Sequence, residues 1–212
     1  MTDQSMGDVL RVVGIAGSLR RASYNRALLC AAQQLTPPSL VIEIEVLDDV
    51  PMFNADLDGA DTPEAVIRLR GAVREADGLL LVTPEYNHGV PGVMKNAIDW
   101  LSQPLAQSAL DGKPTALMGA SSGAAGTARG QSQLRQSFVL TNTPSMLRPE
   151  VLVGRAQDKF DASGRLIDEP TRRFLGGFLE QFAVWIEQQQ RARDATLSGS
   201  ITGALAERRR EG

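Results

Sequence analysis

Three short segments of this 212-residue chain carry most of the side chains that could contact a ligand, and the first is residues 17–25. It places hydroxyls, an amide and a guanidinium just before a helix-forming stretch, at Ser18, Arg20, Ser23 and Asn25. A helix N-terminus presents unpaired N–H groups, and hydroxyls and arginine add donors that match phosphate oxygens. The segment therefore predicts a phosphate site; the alternative is a helix capped by Ser23 beside two solvated arginines.

The second and third segments could surround a flat ring. Residues 84–92 (PEYNHGVPG) hold two prolines and two glycines, which fix an irregular backbone with exposed N–H groups, and Tyr86 could supply a face. The alternative is a simple strand-to-helix turn with Pro91 at the first helical position. Residues 119–126 (GASSGAAG) are small, which lets a backbone approach a ligand closely, although any tight turn uses such residues.

Alternating strands and helices must position these segments. The apolar patterns predict strands at 9–16, 40–47, 78–83, 114–119 and 151–153, and helices at 26–35, 62–76, 91–101, 128–140 and 174–186. Such alternation implies βαβ crossovers and a parallel sheet with helices on both faces. The three segments follow the first, third and fourth strands, so we expect them at the carboxyl edge of the sheet, where α/β proteins bind ligands.

Several further residues receive simple structural roles. Thr62 is predicted to cap the second helix, and Cys30 and the aromatic residues of the last helix are predicted to lie in the core. The lone His88 is interpreted as an exposed loop residue. The predicted organisation is a flexible N-terminus at 1–8, one domain at 9–190 and a tail at 191–212 that is mobile or packs on a partner subunit.

Composition excludes several classes of protein. A net charge of -3 offers no basic footprint for nucleic acid, and the apolar runs are too short to span a membrane. The polar N-terminus does not resemble a signal peptide, and one cysteine rules out a multi-cysteine zinc site. We therefore expect a cytoplasmic protein without a metal, and the sequence shows no pairing of a nucleophile with a base.

Together the three segments resemble the NADPH-dependent FMN reductase family, which includes quinone, chromate and azo-dye reductases. The matching stretches are GSLRRASYN at 17–25, TPEYNHGVPGVMKNAIDWLS at 83–102 and GASSGAAGTARGQSQLR at 119–135, within a resemblance that covers about residues 10–188. It implies a flavodoxin-like three-layer α/β/α sandwich with a five-stranded parallel sheet of order 2-1-3-4-5. It also implies non-covalent FMN and an electron donor, NADPH or NADH.

The resemblance also implies a role for each part of the three segments. The FMN phosphate would be held by Ser18, Arg20, Ser23 and Asn25. The isoalloxazine would be lined by Pro84, Glu85, Tyr86 and Asn87, largely through backbone groups, and its far side would be closed by Ser121, Ser122 and Gly123. The usual assembly of the family is a homodimer, often paired into a tetramer, with the helix after Pro91 near the interface.

The implied activity is the transfer of a hydride from the nicotinamide to the flavin, followed by reduction of a small acceptor by a ping-pong mechanism. The acceptor could be a quinone, chromate, an azo dye, a ferric chelate or free flavin. One alternative is a one-electron carrier like flavodoxin, but flavodoxins are strongly acidic and a net charge of -3 fits this less well. Another is an FMN-binding module without nicotinamide turnover.

Overall fold

Five parallel strands form the centre of the molecule. The computed structural model describes the backbone of residues 9–208 and the side chains of residues 9–196. The strands are β1 (Leu10–Ala16), β2 (Leu40–Glu45), β3 (Gly78–Val82), β4 (Thr115–Ala120) and β5 (Val151–Val153). They form one sheet in the order β2-β1-β3-β4-β5, and every neighbouring pair is parallel. The predicted flavodoxin-like order is confirmed.

Helices cover both faces of the sheet. They are α1 (Tyr24–Gln34), α2 (Glu64–Glu75), α3 (Gly92–Ser102), α4 (Ala128–Leu140) and α5 (Glu169–Arg208). One core lies between the sheet and α1 with α5, and the other lies between the sheet and α2, α3 and α4. Strand β3 serves both cores, because Leu80 and Val82 face the first while Leu79 and Leu81 face the second. This double burial explains why β3 has no polar side chain.

Local sequence explains where the first elements begin and end. The hydroxyl of Ser23 accepts hydrogen bonds from the N–H groups of Asn25 and Arg26, so Ser23 is the N-cap of α1, as one reading of the sequence had it. Strand β2 lies at the sheet edge, and its alternating pattern follows from this position: Ile42 is buried while Val41 is exposed.

Two predicted local roles are wrong. Helix α2 begins at Glu64 with Pro63 as its N-cap, and the hydroxyl of Thr62 instead bonds the N–H and C=O of Gly59. Cys30 is exposed, because α1 turns Leu28, Leu29, Ala31 and Ala32 inward and leaves position 30 on its outer side. Apolar neighbours in the sequence of a helix therefore do not suffice to predict that a cysteine is buried.

The last helix departs from its predicted extent and packing. Phe178 and Phe182 are buried and Trp185 packs against the core, as predicted, but Phe174 is 46% exposed. Helix α5 continues to Arg208, so residues 191–208 of the predicted tail are helical. Their packing against a partner subunit stays a prediction, and residues 1–8 and 209–212 lie outside the described residues. Within residues 9–208, no helix is long and apolar enough to cross a membrane.

Candidate active site

The loop between β1 and α1 is tied to the ends of two other strands. The N–H of Gly17 donates to the carbonyl oxygen of Val82, at the end of β3, over 2.9 Å. The side chain of Asn25 donates to the carbonyl oxygen of Ala120 at 2.8 Å and accepts from the N–H of Ala120 at 2.9 Å. The first predicted segment is thereby fixed beside the starts of the second and third.

The loop between β3 and α3 rests on the first turns of α4. One oxygen of Glu85 accepts hydrogen bonds from the N–H groups of Arg129 (2.9 Å) and Gly130 (3.0 Å). The N–H of Val90 donates to the side-chain oxygen of Gln133 over 2.7 Å. The second segment is thus held at both ends by the helix that follows the third.

Asn87 and His88 form a tight turn at the tip of this loop. Both have positive φ, 52° and 60°, and the flanking residues Tyr86 and Gly89 exchange two backbone hydrogen bonds of 3.2 and 2.9 Å. This is the geometry of a type I′ turn, in which two consecutive residues adopt the left-handed conformation. The turn leaves Tyr86 54% exposed on a fixed backbone. His88 is exposed, as predicted.

The loop between β4 and α4 completes the cluster from the other side. The N–H of Ser121 donates to the carbonyl oxygen of Val153 at 2.9 Å, and the hydroxyl of Ser121 accepts from the N–H of Gly123 at 3.1 Å. The N–H of Arg155 donates to the carbonyl oxygen of Gly123 at 3.1 Å. The three predicted segments therefore converge at the carboxyl edge of the sheet.

Unsatisfied donors in the first loop mark an anion site. Among the residues that the structure describes, no partner is found for the N–H groups of residues 18–22 and 24. Ser18 is only 6% exposed, yet its hydroxyl bonds no described protein atom. The hydroxyl of Ser23 accepts two N–H groups, which leaves its own hydrogen free to donate. The guanidinium of Arg20 lies over the ring of Tyr24 at 5.7 Å and makes no hydrogen bond or ion pair with the described residues. These groups suit a phosphate dianion.

The other two loops also present free N–H groups. Within the described part of the chain, those of Glu85, Asn87 and His88 have no partner, and neither do those of residues 122 and 124–126. Backbone donors from two facing loops can bond the carbonyl and nitrogen atoms along the polar edge of an isoalloxazine ring. The residues present therefore fit FMN, with its phosphate at the first loop and its ring between the second and third.

Two predicted site residues have structural partners that the sequence did not reveal. Both polar atoms of the Asn25 side chain are engaged by Ala120. The Glu85 carboxylate caps α4, whose N-cap residue Thr127 makes no side-chain cap bond. Burial alone raises the pKa of Glu85, but the bonds from the N–H groups of Gly130 and Arg129 outweigh it and hold the pKa below its usual value. Contact of either residue with FMN stays a prediction.

The described residues contain no cluster of metal ligands. Between residues 9 and 196, no group of three or more His, Cys, Asp or Glu side chains could hold a metal ion. The carboxylate of Glu85, in the second loop, is engaged by α4. The site consists mainly of backbone donors, hydroxyls and one free guanidinium.

The fold is flavodoxin-like, and the three loops converge at the carboxyl edge of the sheet, where such folds bind their ligands. The sequence model of the NADPH-dependent FMN reductases matches residues 10–158. The chain belongs to the NADPH-dependent FMN reductase family. The predicted family and the predicted class of enzyme, a reductase that uses FMN and NAD(P)H, are confirmed.

Relatives match over nearly their whole length. An NAD(P)H-dependent FMN reductase of Pseudomonas aeruginosa is 44% identical over 183 residues, which is 86% of this chain and 98% of the relative. A quinone reductase of Pseudomonas putida is 44% identical over 182 residues, 86% of this chain and 97% of the relative. The solved structure of FerB, a flavoenzyme NAD(P)H:(acceptor) oxidoreductase from Paracoccus denitrificans, has a TM-score of 0.79 at 38% identity and covers 85% of this chain and 99% of its own.

Proposed function

We propose that the loops at residues 17–25, 84–92 and 119–126 hold FMN and that the protein uses it to reduce a quinone with electrons from a nicotinamide. The observation that carries this proposal is the convergence of unpaired N–H groups, the hydroxyl of Ser18, which has no partner among the described residues, and a free guanidinium at Arg20 on one edge of the sheet. Quinone is chosen among the possible acceptors because several relatives carry the name quinone reductase.

The residues of the first loop bind and orient the phosphate. Ser18 and Ser23 donate hydroxyl hydrogens, Arg20 adds a charge-assisted bond, and the N–H groups of residues 18–22 surround the remaining oxygens. Asn25 acts through Ala120, because it fixes the distance between the phosphate loop and the loop after β4. Asn25 is therefore a positioning residue in this proposal.

The other loops hold the ring and leave one face open. Pro84 to Asn87 line one side, where Glu85 and Asn87 offer free N–H groups. Ser121 to Gly123 close the far side, and Tyr86 borders the open face. When bound, FMN supplies the hydride and electron transfer that no side chain of this site can perform. Glu85 does not donate a proton, because its lowered pKa keeps it ionised at neutral pH.

Both substrates are expected to bind over the same open face in turn. Initial rates are measured at several fixed concentrations of NADPH and of a benzoquinone, and we expect parallel double-reciprocal lines. Intersecting lines would contradict a shared face. A purified protein whose bound flavin is not bleached by NADPH or NADH would support the alternatives, an electron carrier or an FMN-binding module.

A homodimer that works in the cytoplasm is also part of the proposal. The end of α4 exposes two large apolar side chains, Val139 (85%) and Leu140 (75%), beside a groove shared with α3. Exposed apolar neighbours of this size are typical of an interface. Light scattering of the wild type is expected to give twice the mass of the chain or more, and Leu140→Glu is expected to shift it toward the monomer. A monomeric wild type would contradict the proposal.

A further inference from the structure

We propose that the groove between α1 and the hairpin of residues 160–166 binds the 2′-phosphate end of NADPH, and that Arg21 and Arg165 select NADPH over NADH. The inference rests on the proposed function, since it assumes a nicotinamide donor at the flavin site. We call this feature the α1 groove. Its volume is about 910 Å³, and its walls are the outer face of α1, the loop before it and the hairpin.

The shape of the α1 groove suits part of a nucleotide. It follows α1 from Ser23 to Gln34, which corresponds to roughly 16 Å at 1.5 Å per residue. The half-buried Tyr24 lines it, and its ring packs against that of Phe160 with centroids 5.8 Å apart. Its volume is in the range of pockets that hold small organic ligands. One phosphate alone would leave most of this space unfilled.

The charge of the α1 groove favours an anion, although the protein as a whole carries a net charge of -3. Four arginines line it beside a single acid, Asp161: Arg20, Arg21, Arg26 and Arg165. Arg26 is partly neutralised by Asp48 at 3.4 Å. Arg21 has no ion pair or hydrogen bond among the described residues, so its guanidinium is available to a ligand.

The hairpin holds Arg165 in a fixed position. One oxygen of Asp161 accepts hydrogen bonds from the N–H and the hydroxyl of Ser163, at 2.9 and 2.6 Å, and from the N–H of Arg165 at 3.0 Å. The other oxygen accepts from Nε of Arg165 at 3.2 Å. The hydroxyl of Ser163 and these other bonds lower the pKa of Asp161 to about 2, so the contact persists at neutral pH. The terminal nitrogens of Arg165 remain free for a phosphate.

The α1 groove begins at the FMN phosphate loop, with which it shares residues 20–23, and extends beyond it along α1 to Gln34. Arg20 and Ser23 border both, so a dinucleotide with its nicotinamide at the flavin can continue along α1. Ser18 of the FMN phosphate loop lines a separate cavity beside Leu47 and does not line the groove. The side chains of Arg21 and Arg165 line the groove and are not among the proposed FMN phosphate contacts, which leaves them for a second phosphate.

The test compares the two nucleotides on the flavin-loaded enzyme at a saturating quinone concentration. The ratio of kcat/KM for NADPH to that for NADH is measured in the wild type, Arg21→Ala and Arg165→Ala. We expect this ratio to fall roughly tenfold in each variant, because each loses a charge-assisted bond to the 2′-phosphate. Arg21→Lys is expected to retain part of the ratio. Arg191→Ala is the control, since Arg191 is an exposed arginine of α5 whose side chain bonds Glu187 and no other described residue.

A second measurement uses 2′,5′-ADP as the probe. Calorimetry of the flavin-loaded wild type is expected to show tighter binding of 2′,5′-ADP than of 5′-ADP, and Arg21→Ala should bring the two affinities together. Equal affinities in the wild type, or an unchanged kcat/KM ratio in both variants, would overturn the inference. Loss of FMN from these variants would also overturn it, because the groove would then serve the flavin. Failure of the wild type to turn over either nucleotide would instead contradict the proposed function.

Discussion

Removal of the Glu85 carboxylate tests how the ring loop is held. In Glu85→Ala the N–H groups of Arg129 and Gly130 at the start of α4 lose their acceptor. The side chain of Glu85 is 10% exposed, so water replaces it poorly. Loss of a helix N-cap typically costs 0.5–2 kcal/mol, and a charged acceptor lies at the upper end, so we expect a loss of about 2 kcal/mol in the free energy of unfolding.

The isosteric variant and pH separate the charge from the hydrogen bonds. Glu85→Gln keeps one oxygen for both N–H groups but loses the charge, so its cost is expected to be about 1 kcal/mol. The pKa of Glu85 is lower in the folded protein than its ordinary value of 4.5. The charge of Glu85 therefore stabilises the fold fully above about pH 4.5, and this contribution is lost as pH falls through the folded pKa. The free energies of unfolding of the wild type and of Glu85→Gln should therefore converge in acid.

Urea unfolding of the flavin-free proteins at pH 7 and pH 4 measures these differences, and fluorescence titration measures FMN affinity. We also expect FMN to bind several-fold more weakly to Glu85→Ala, because the loop at residues 84–91 loses its anchor on α4. Glu64→Ala is the matched control: Glu64 is an exposed acid in the first turn of α2 and bonds no backbone N–H. A loss below about 0.5 kcal/mol in Glu85→Ala at pH 7 would refute the capping role.

Substitutions at three further residues test other parts of the site. Arg20→Ala should weaken FMN binding by about 1.5 kcal/mol or more, roughly tenfold, in a flavin titration; an unchanged affinity would remove Arg20 from the phosphate site. Asn25→Ala leaves the buried N–H and C=O of Ala120 without partners and should lower the free energy of unfolding by about 2–4 kcal/mol; a stability equal to that of the wild type would show that water replaces the amide. Asn87→Val should cost about 1–2 kcal/mol at φ 52° while Asn87→Gly is tolerated, and equal melting temperatures for the two would contradict the turn assignment.

Periodic patterns allowed the fold to be predicted from the sequence. The apolar run of β3 and the alternation of β2 reflect burial on two faces and on one face, and burial is a property that residue type reports directly. The convergence of the three loops also followed from topology, because the carboxyl ends of parallel strands share one edge. These inferences needed only local patterns and one general rule of α/β folds.

Pairings between distant segments could not be predicted in this way. Asn25 and Ala120 are 95 positions apart, and Glu85 reaches Gly130 across 45 positions. The residue types of Ala120 and Gly130 give no sign of these bonds, because both residues contribute only backbone groups. From the sequence, Thr127 is an ordinary capping residue, and only the structure shows that it makes no side-chain cap bond and that Glu85 caps the helix instead.

Local context misled the prediction at Cys30 and Thr62. Residue type gives a tendency toward burial, but the face of α1 is set by the leucines and alanines that pack on the sheet. Thr62 is a good capping residue whose hydroxyl is engaged by Gly59 in a turn before α2. The helical course of residues 191–208 was missed because their small and polar residues give a weak apolar pattern.

The visible absorption spectrum of the purified protein tests the central claim most directly. The account predicts a flavin spectrum with one FMN per chain, released on denaturation. It also predicts that NADPH bleaches this spectrum without oxygen and that a benzoquinone then restores it. A protein that binds no FMN when it is supplied, or whose flavin spectrum neither nicotinamide changes, would contradict the account.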